Sequence, residues 1–146
     1  MYTYTYKRRL HWSECDPAGI IFFPIYARWM TEGLDEMFLQ NGIDPNGISD
    51  GKMTGLPGAS VSMKFLSAPR LHEEVTHQIT VQRLGGSSMC FRHEFRSQDG
   101  RLLAEAEDTR IWAIHAVGEP ETLKSAPIPD EMRSWLSGEE ADLPTS

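Results

Sequence analysis

The 146-residue sequence has few of the features that mark several large classes of protein. Its two cysteines, Cys15 and Cys90, form no CxxC pair, no zinc motif and no disulfide framework. No apolar run approaches the ~20 residues of a membrane-spanning helix. The N-terminal segment has no apolar core of the kind found in a signal peptide. We therefore predict a cytoplasmic protein of one domain, with no membrane association.

Positive charge is also scarce, because 14 lysines and arginines stand against 21 aspartates and glutamates, giving a net charge of −7. A nucleic-acid partner requires a clustered positive surface. Here the basic residues are scattered, apart from Lys7, Arg8 and Arg9. We expect no nucleic-acid partner, although two or three local cations would suffice to bind the phosphates of a coenzyme.

The first forty residues contain two different periodicities. Aromatic and polar residues alternate in residues 2–12, which predicts a strand. Residues 22–38 repeat apolar residues at helical spacing, and Pro24 suits the first turn of that helix. Gly42 suits the left-handed residue just past the helix end. Gly33 is unfavourable within a helix, so we expect it to mark a close approach to a sheet.

Strand signals dominate the remainder of the chain. Residues 44–58 are rich in Gly, Pro, Asn and Asp, which predicts a long loop. Four strands are then predicted, around residues 61–65, 75–81, 89–95 and 102–117, with hairpin turns at Gly85–Gly86 and Asp99–Gly100. Residues 129–137 predict a short helix anchored by Trp135 and Leu136. The fold class is therefore α+β, with one domain over residues 1–138 and a polar C-terminal tail over residues 139–146.

The segment ECDPAGIIFFPIYARW, from Glu14 to Trp29, carries the chemistry. Asp16 lies on a turn directly before the helix, whose first unpaired N–H groups and positive dipole end can stabilise an oxyanion. The apolar residues that follow would remove water from the carboxylate. The arrangement suits hydrolysis by acyl transfer. Alternatives are that Asp16 only caps a turn, or that the thiol of Cys15 is the nucleophile.

The string DPAGIIFFPxYxRW, from Asp16 to Trp29, resembles the signature of the 4-hydroxybenzoyl-CoA thioesterase family. Gly85–Met89 is similar to that family's hairpin of the form GxSS followed by an apolar residue. Gly55-Leu56-Pro57 resembles its short Gly-apolar-Pro loop before the second strand. The resemblance covers the layout of about residues 5 to 117.

This resemblance implies a hotdog fold, in which a five-stranded antiparallel sheet wraps around one long helix. It implies a homodimer paired edge to edge, often assembled further into a homotetramer, with active sites at the dimer interface. Asp16 would act as nucleophile or general base, and the backbone N–H of Phe23 would polarise the thioester carbonyl. Members acting on hydroxylated aromatic acyl groups can carry an acid after the Trp-apolar pair of the helix, where this chain has Thr31.

We predict further contacts from these positions. The expected substrate-binding residues are Gly19, Ile20, Tyr26, Trp29, Thr31 and Pro57. The expected contacts to coenzyme A, which enters only as part of the substrate, are Arg83, Ser87, Ser88, Lys64 and Arg92. We expect no metal, since His11, His77 and His93 each stand alone in strands without metal-ligand spacing.

The predicted function is hydrolysis of an aromatic or short- to medium-chain acyl-CoA to free acid and coenzyme A. Alternatives are hydrolysis of an acyl-carrier-protein thioester and binding of acyl-CoA without turnover. Some hotdog thioesterases use a helix carboxylate, so Glu32, Asp35 and Glu36 form an alternative acid site, although as a group they resemble a solvated helix face.

Overall fold

The computed structural model describes residues 1–138, so the predicted tail at 139–146 lies outside the described residues. The strands in chain order are β1 (Thr3–Arg9), β2 (Ile48–Ser49), β3 (Lys52–Gly55), β4 (Gly58–Phe65), β5 (Glu74–Leu84), β6 (Ser88–Arg96), β7 (Leu102–Ile111), β8 (Ala113–Ala116) and β9 (Glu119–Ser125). The helices are α1 (Pro24–Gln40) and α2 (Asp130–Ser137), and a single 3₁₀ turn spans Trp12–Glu14.

The main sheet has five antiparallel strands in the order β1-β5-β6-β7-β4. Alternate side chains of its central strands are buried towards α1, as in β5, where Val75, His77, Ile79 and Val81 are at most 1% exposed. One face of the sheet therefore packs on the long helix and the other faces outward. This arrangement confirms the predicted α+β class and the hairpins at Gly85–Gly86 and Asp99–Gly100.

Helix α1 begins and ends where its sequence predicts. Pro24 occupies the first helical position, and Gly42 takes a φ of +76°, just past the end. Gly33 lies against the sheet, because a Cβ atom there would come within 2.7 Å of His77 Cε1 and 2.9 Å of Ile79 Cδ1. The predicted close approach is confirmed.

A second sheet, in the order β2-β3-β8-β9, corrects three predictions. The predicted loop at 44–58 contains β2 and β3 and the start of β4. The predicted strand at 102–117 is divided at buried Trp112, whose N–H donates to Ser87 O at 2.7 Å. Strand β9 was missed because all its residues are exposed, which leaves no alternating pattern of apolar residues.

The core has two clusters along α1. The cluster at the C-terminal half of α1 is closed by α2, whose Trp135 contacts Tyr2 and Phe38 with ring centroids 5.2 Å apart in each case. The predicted anchors of α2 are confirmed, since Trp135 and Leu136 are 4% and 0% exposed. The second cluster lies at the N-terminal half of α1, beneath the Asp16 loop. Within residues 1–138, no helix is long and apolar enough to cross a membrane.

Candidate active site

The Asp16 loop is a tight turn that holds one carboxylate oxygen and leaves the other available. The Gly19 N–H donates to Asp16 O at 2.9 Å, and Gly19 takes a φ of +81° that favours glycine. Asp16 Oδ1 accepts from the N–H groups of Ala18 at 2.9 Å and Ile20 at 3.4 Å. No residue within 1–138 donates a hydrogen bond to Asp16 Oδ2. The turn thus orients the carboxylate and presents one oxygen.

The two ends of this loop are joined by an antiparallel bridge between Cys15 and Ile21. The Asp16 N–H donates to Ile20 O at 2.8 Å, and the Phe22 N–H donates to Glu14 O at 2.9 Å. Asp16 directly follows Cys15 on one side of the bridge. On the other side, the chain continues from Ile21 into α1, which begins at Pro24.

The start of α1 exposes the backbone N–H of Phe23. Pro24 has no N–H. The next two backbone N–H groups already have acceptors, because that of Ile25 donates to Phe22 O at 2.8 Å and that of Tyr26 donates to Phe23 O at 3.1 Å. In the part of the chain that the structure describes, the Phe23 N–H has no acceptor. The positive end of the helix dipole is therefore presented through a free donor beside the Asp16 loop.

A buried carboxylate that the sequence did not reveal as functional, Glu14, ties this loop to α1. Glu14 is 4% exposed, and its Oε1 accepts from the His11 N–H at 2.9 Å. Its Oε2 accepts from Trp29 Nε1 at 2.8 Å and from Arg28 Nη2 at 3.0 Å. Glu14 therefore fixes the position of Asp16 relative to the helix start. The sequence feature that could have indicated this role is an acidic residue two positions before Asp16, together with an adjacent Arg and Trp in the following helix.

Two predicted substrate contacts are core residues instead. Trp29 and Tyr26 are 0% and 2% exposed. The Tyr26 ring packs 4.9 Å from the Phe95 ring, and burial raises the pKa of Tyr26 to about 12. These burials do not support direct substrate contact, because neither side chain reaches the surface of the described chain. Trp29 acts on the site through its bond to Glu14.

The apolar residues around Asp16 are more exposed than the sequence implied. Ile20 is 47% exposed, Phe22 is 50% and Phe23 is 62%, and the Phe23 ring lies 5.8 Å from that of Phe65. Asp16 itself is half-buried. The loop and the end of β4 therefore form an exposed apolar surface, named here the aromatic patch (Ile20, Phe22, Phe23 and Phe65). Within a single chain this patch does not enclose the carboxylate.

A cavity of about 320 Å³ lies beside α1, about one to two turns past the start of the helix. It is lined by Ala27, Met30 and Thr31 of α1, residues 58–61 of β4, and Asp108 and Arg110 of β7. Predicted contact Thr31 is thus at this cavity. Pro57 directly precedes Gly58 in the lining, and its carbonyl accepts from the Ile111 N–H at 3.0 Å.

The histidines of the sheet are paired, which corrects the expectation that each stands alone. His77 Nε2 lies 2.8 Å from His93 Nδ1, and His93 Nε2 lies 3.1 Å from Asp108 Oδ2. His77 Nδ1 lies 2.9 Å from the Tyr6 hydroxyl. These four side chains and Arg110, which donates to Asp108 Oδ1 at 2.8 Å, are named here the buried polar chain. The sequence concealed it because the residues lie on four different strands.

Burial and hydrogen bonding together determine the charge states of the side chains in the buried polar chain. Burial lowers the pKa of His77 well below the ordinary value, and it lowers that of His93 despite the opposing effect of Asp108. Burial alone would raise the pKa of Asp108, but hydrogen bonds from His93 and Arg110 outweigh burial and hold it below the ordinary value. The histidines are therefore neutral, and Asp108 is ionised beside Arg110.

The predicted coenzyme A contacts fall into two groups that the structure does not bring together. Arg83, Ser87 and Ser88 lie at the β5–β6 hairpin. Lys64 and Arg92 lie on the outward face of the sheet, where Arg92 donates to Glu105 at 2.6 Å and to Glu94 at 3.1 Å. Because carboxylates already neutralise Arg92, the outward group is the weaker phosphate site.

The environments of Cys15 and Glu32 do not favour them as the alternative nucleophile and the alternative acid. Burial raises the pKa of the Cys15 thiol, and the neighbouring Asp16 and Glu14 raise it further, which disfavours the thiolate. Glu32 is ion-paired with Arg8 at 2.8 Å and Arg28 at 3.2 Å. Glu32 is not among the residues that line the cavity beside α1.

Comparisons with known proteins agree with this geometry. The profile of the thioesterase-like superfamily matches residues 10–136. A 4-hydroxybenzoyl-CoA thioesterase of Pseudomonas sp. (strain CBS-3) is 24% identical over 131 residues, covering 86% of this chain and 91% of that protein. The resemblance seen in the sequence is confirmed.

Solved structures show the same fold over nearly the whole chain. A 1,4-dihydroxy-2-naphthoyl-CoA thioesterase from Synechocystis aligns with a TM-score of 0.81 and 23% identity, covering 98% of this chain and 100% of that one. An Asp-to-Asn mutant of 4-hydroxybenzoyl-CoA thioesterase, in complex with 4-hydroxybenzoyl-CoA, aligns with a TM-score of 0.79 and 22% identity, covering 90% and 96%. The predicted hotdog fold is confirmed.

Proposed function

This chain belongs to the thioesterase-like superfamily, and on that premise we propose that it hydrolyses an acyl-CoA with Asp16 as the catalytic carboxylate. The protein is a thioester hydrolase, like the relatives described above. The observation that carries the assignment of Asp16 is that its Oδ2 and the Phe23 N–H, neither of which has a hydrogen-bond partner among residues 1–138, lie on the same loop–helix junction. A carboxylate and an oxyanion donor are the two groups that thioester hydrolysis requires here.

Two routes use these groups. In the nucleophilic route, Asp16 Oδ2 bonds to the thioester carbon, the C–S bond breaks, and coenzyme A leaves as a thiolate. Water then cleaves the mixed anhydride to release the acid and restore Asp16. In the general-base route, Asp16 accepts a proton from water as that water attacks the same carbon. Both routes place negative charge on the carbonyl oxygen, which the Phe23 N–H stabilises.

Either route is more favourable if the carboxylate is shielded from water. Strand β4 ends the main sheet, and its outer edge has no strand partner among residues 1–138. Its Val61 and Phe65 are 58% and 51% exposed. An exposed apolar edge strand is a site of association. We propose that two copies pair through β4 and cover the aromatic patch, and that dimers pair further into tetramers.

Sedimentation equilibrium tests this assembly. We expect a dimer or tetramer at micromolar concentration, and a Val61→Lys variant that dissociates and loses activity together, because a charge on the edge opposes pairing. A fully active wild-type monomer would contradict the assembly. It would also contradict an active site completed by a second copy.

For the coenzyme, we propose contacts at the β5–β6 hairpin. Arg83 is exposed there and has no ion-pair partner within the described residues, and Ser87 and Ser88 supply nearby hydroxyls. Lys64 and Arg92 are weaker candidates because of Glu105. The proposed reaction uses water and protein groups alone, and the absence of a metal cofactor stays a prediction. The cytoplasmic location also stays a prediction.

A panel of acyl-CoAs, read by release of free thiol, tests the function. We expect turnover of at least one aromatic or short- to medium-chain member. The same acyl groups attached to an acyl carrier protein separate the nearest alternative, which would show faster turnover of the protein-bound thioester. Tight binding of an acyl-CoA without thiol release from any member would instead identify a binding protein, and would contradict the proposal.

A further inference from the structure

The cavity beside α1 is lined by the guanidinium of Arg110, about two turns along the helix from its start. Phe23, Ala27 and Thr31 follow one another at four-residue spacing, so they lie along one face of the helix. The rise of an α-helix separates the first and last of them by about 12 Å along the axis. Arg110 Nη2 donates to Thr31 Oγ1 at 3.2 Å. An acyl group whose carbonyl binds at the Phe23 N–H would extend along this face towards Arg110.

Arg110 is held by three contacts and keeps donors in reserve. Its Nε donates to Asp108 Oδ1 at 2.8 Å, and its Nη1 donates to Leu56 O at 3.2 Å. The Arg110 side chain is 15% exposed. A guanidinium has five N–H groups, and only three are used in these contacts and the contact to Thr31. The fork is therefore fixed in place, while two N–H groups have no acceptor among residues 1–138 and are available to a ligand.

The remainder of the buried polar chain orients Asp108. An ionised carboxylate only accepts hydrogen bonds, so His93 donates to it from Nε2. His93 Nδ1 must then accept from His77 Nε2, and His77 Nδ1 must accept from the Tyr6 hydroxyl. Each neutral imidazole is thereby fixed in one tautomer. These hydrogen bonds fix the orientation of the Asp108 carboxylate, and the carboxylate in turn fixes the orientation of the Arg110 guanidinium.

The charges near Arg110 favour an uncharged ligand group over an anion. Asp108 pairs directly with the guanidinium. Asp35 is also close enough for Arg110 to lower its pKa, although burial, Asp44 and Glu36 raise that pKa overall. The positive charge of Arg110 is thus already offset. What remains at the cavity is a strong hydrogen-bond donor.

We propose that Arg110, held in place by its hydrogen bond to Thr31, selects acyl groups that carry an uncharged hydrogen-bond-accepting oxygen at the end remote from the thioester. This inference rests on the proposed thioesterase function. It assigns Arg110 as a specificity-determining residue, and Asp108 and His93 as positioning residues that act through it. An acyl group with a methylene in place of the oxygen would leave the buried donors of Arg110 without a partner, and selection against such a group is strong.

Matched acyl-CoA pairs of equal shape test the inference. We would compare 4-methoxybenzoyl-CoA with 4-ethylbenzoyl-CoA, and 5-oxohexanoyl-CoA with 5-methylhex-5-enoyl-CoA, in which a methylene group replaces the keto oxygen. In at least one pair, the wild type should prefer the oxygen member by about tenfold or more in kcat/KM. 4-Carboxybenzoyl-CoA should be a poorer substrate than the methoxy member. A wild type without preference in either pair would overturn the inference, and so would a preference for the carboxylate.

Substitutions at Arg110 separate this role from a structural one. Arg110→Met should reduce the preference to near unity, because kcat/KM should fall more for the oxygen member than for its matched partner, and Arg110→Lys should restore part of the preference. Because Arg110→Met leaves Asp108 buried without its cation, the double variant Asp108→Asn/Arg110→Met removes both charges and preserves an acceptor for His93. An unchanged preference in a folded variant would overturn the inference.

Failure of the proposed hydrolysis and failure of the proposed selectivity would be distinguishable by experiment. If the wild type hydrolyses no acyl-CoA, the proposed function fails, whereas the selectivity can still be measured as binding. Calorimetric affinities of the matched pairs for Asp16→Asn protein give that measurement without turnover. Tighter binding of the oxygen member, lost in the added Arg110→Met background, would support the inference. Equal binding of both members would overturn it.

Discussion

The loop–helix junction and the buried polar chain both adjoin the N-terminal half of α1, and they treat polar groups in opposite ways. At the junction, Asp16 Oδ2 and the Phe23 N–H have no partner among residues 1–138. In the buried polar chain, by contrast, hydrogen bonds engage both ring nitrogens of His77 and His93 and both carboxylate oxygens of Asp108. The first region keeps groups free for a reaction, and the second uses its groups to fix positions.

The difference shows how one helix supports both regions. Glu14 fixes the junction to α1 through Trp29 and Arg28. Gly33 lets the helix approach the sheet closely enough to cover His77 and Tyr6. Free groups at the surface are therefore placed by bonded groups beneath it. Removing a bonded group should change the free groups' positions, and the size of that effect measures the coupling.

The largest effect among the supporting residues is expected for Glu14→Gln. The amide supplies one acceptor where the carboxylate serves three donors, so either the His11 N–H or Trp29 Nε1 loses its partner. We expect kcat to fall about 100-fold, because a small displacement of Asp16 is costly, with a lower Tm. Glu36→Gln, at an exposed position of the same helix, is the matched control. Equal kcat in both variants would show that Glu14 does not position the loop.

Gly33→Ala should disturb the packing of the buried polar chain more than that of the loop–helix junction. The new Cβ would contact the side chains of His77 and Ile79 and the Tyr6 hydroxyl at under 3.0 Å. We expect the free energy of unfolding to fall by about 1–3 kcal/mol, as for other overpacked sites. Gly86→Ala, where no atom lies within 4 Å of the added Cβ, serves as the control in urea unfolding. A stable Gly33→Ala variant would mean that α1 lifts from the sheet without penalty.

The pH dependence of stability tests the neutral state of the histidines. Burial lowers the pKa of both His77 and His93, so the unfolded chain binds more protons below the ordinary pKa of about 6.5. The free energy of unfolding should therefore be highest above that pH and fall as pH decreases, by up to about 1.4 kcal/mol per pH unit for each histidine. Urea unfolding between about pH 7 and about pH 5 measures the slope, above the range in which carboxylates titrate.

His77→Gln supplies the comparison for this slope. It removes one of the two lowered pKa values, so the slope should fall to about half even if the variant is less stable. An identical slope in the wild type and the variant would mean that His77 is not buried in its neutral form.

The smallest expected effect concerns the coenzyme. Arg83→Gln should raise KM severalfold, because an exposed cation contributes modestly to phosphate binding. Lys64→Gln should leave KM nearly unchanged, since Glu105 already lies beside it. The reverse order would move the coenzyme to the outward face of the sheet.

What the sequence predicted reflects how local each signal is. The helix from Pro24 to the region of Gly42 was predicted because proline, glycine and the apolar period all act within one segment. Asp16 could be proposed as the catalytic carboxylate because its turn and the helix start are contiguous in the sequence. Strand β9 could not be predicted, since it pairs through its backbone and buries no side chains.

The unpredicted parts of the site depend on contacts distant in sequence. Glu14 became meaningful only when folding placed it against Trp29, and Tyr26 had the spacing of a helix face without revealing that the face is buried. The buried polar chain joins residues of β1, β5, β6 and β7, and only the register of these strands brings His77, His93 and Asp108 into line. Each of these histidines reads from the sequence as an isolated polar residue of a strand.

The most direct test of the account is the turnover of the Asp16→Asn variant, measured as single-turnover thiol release from an acyl-CoA that the wild type hydrolyses. The amide keeps an oxygen for the N–H groups of Ala18 and Ile20 but is neither a base nor an effective nucleophile. Asp44→Asn is the matched control, because Asp44 Oδ1 likewise accepts from a backbone N–H, that of Asn46 at 2.9 Å, on a loop elsewhere. We predict a loss of about 10²- to 10⁴-fold for Asp16→Asn, with unchanged Tm and assembly, and a wild-type rate for the control. A wild-type rate in Asp16→Asn would contradict the central claim.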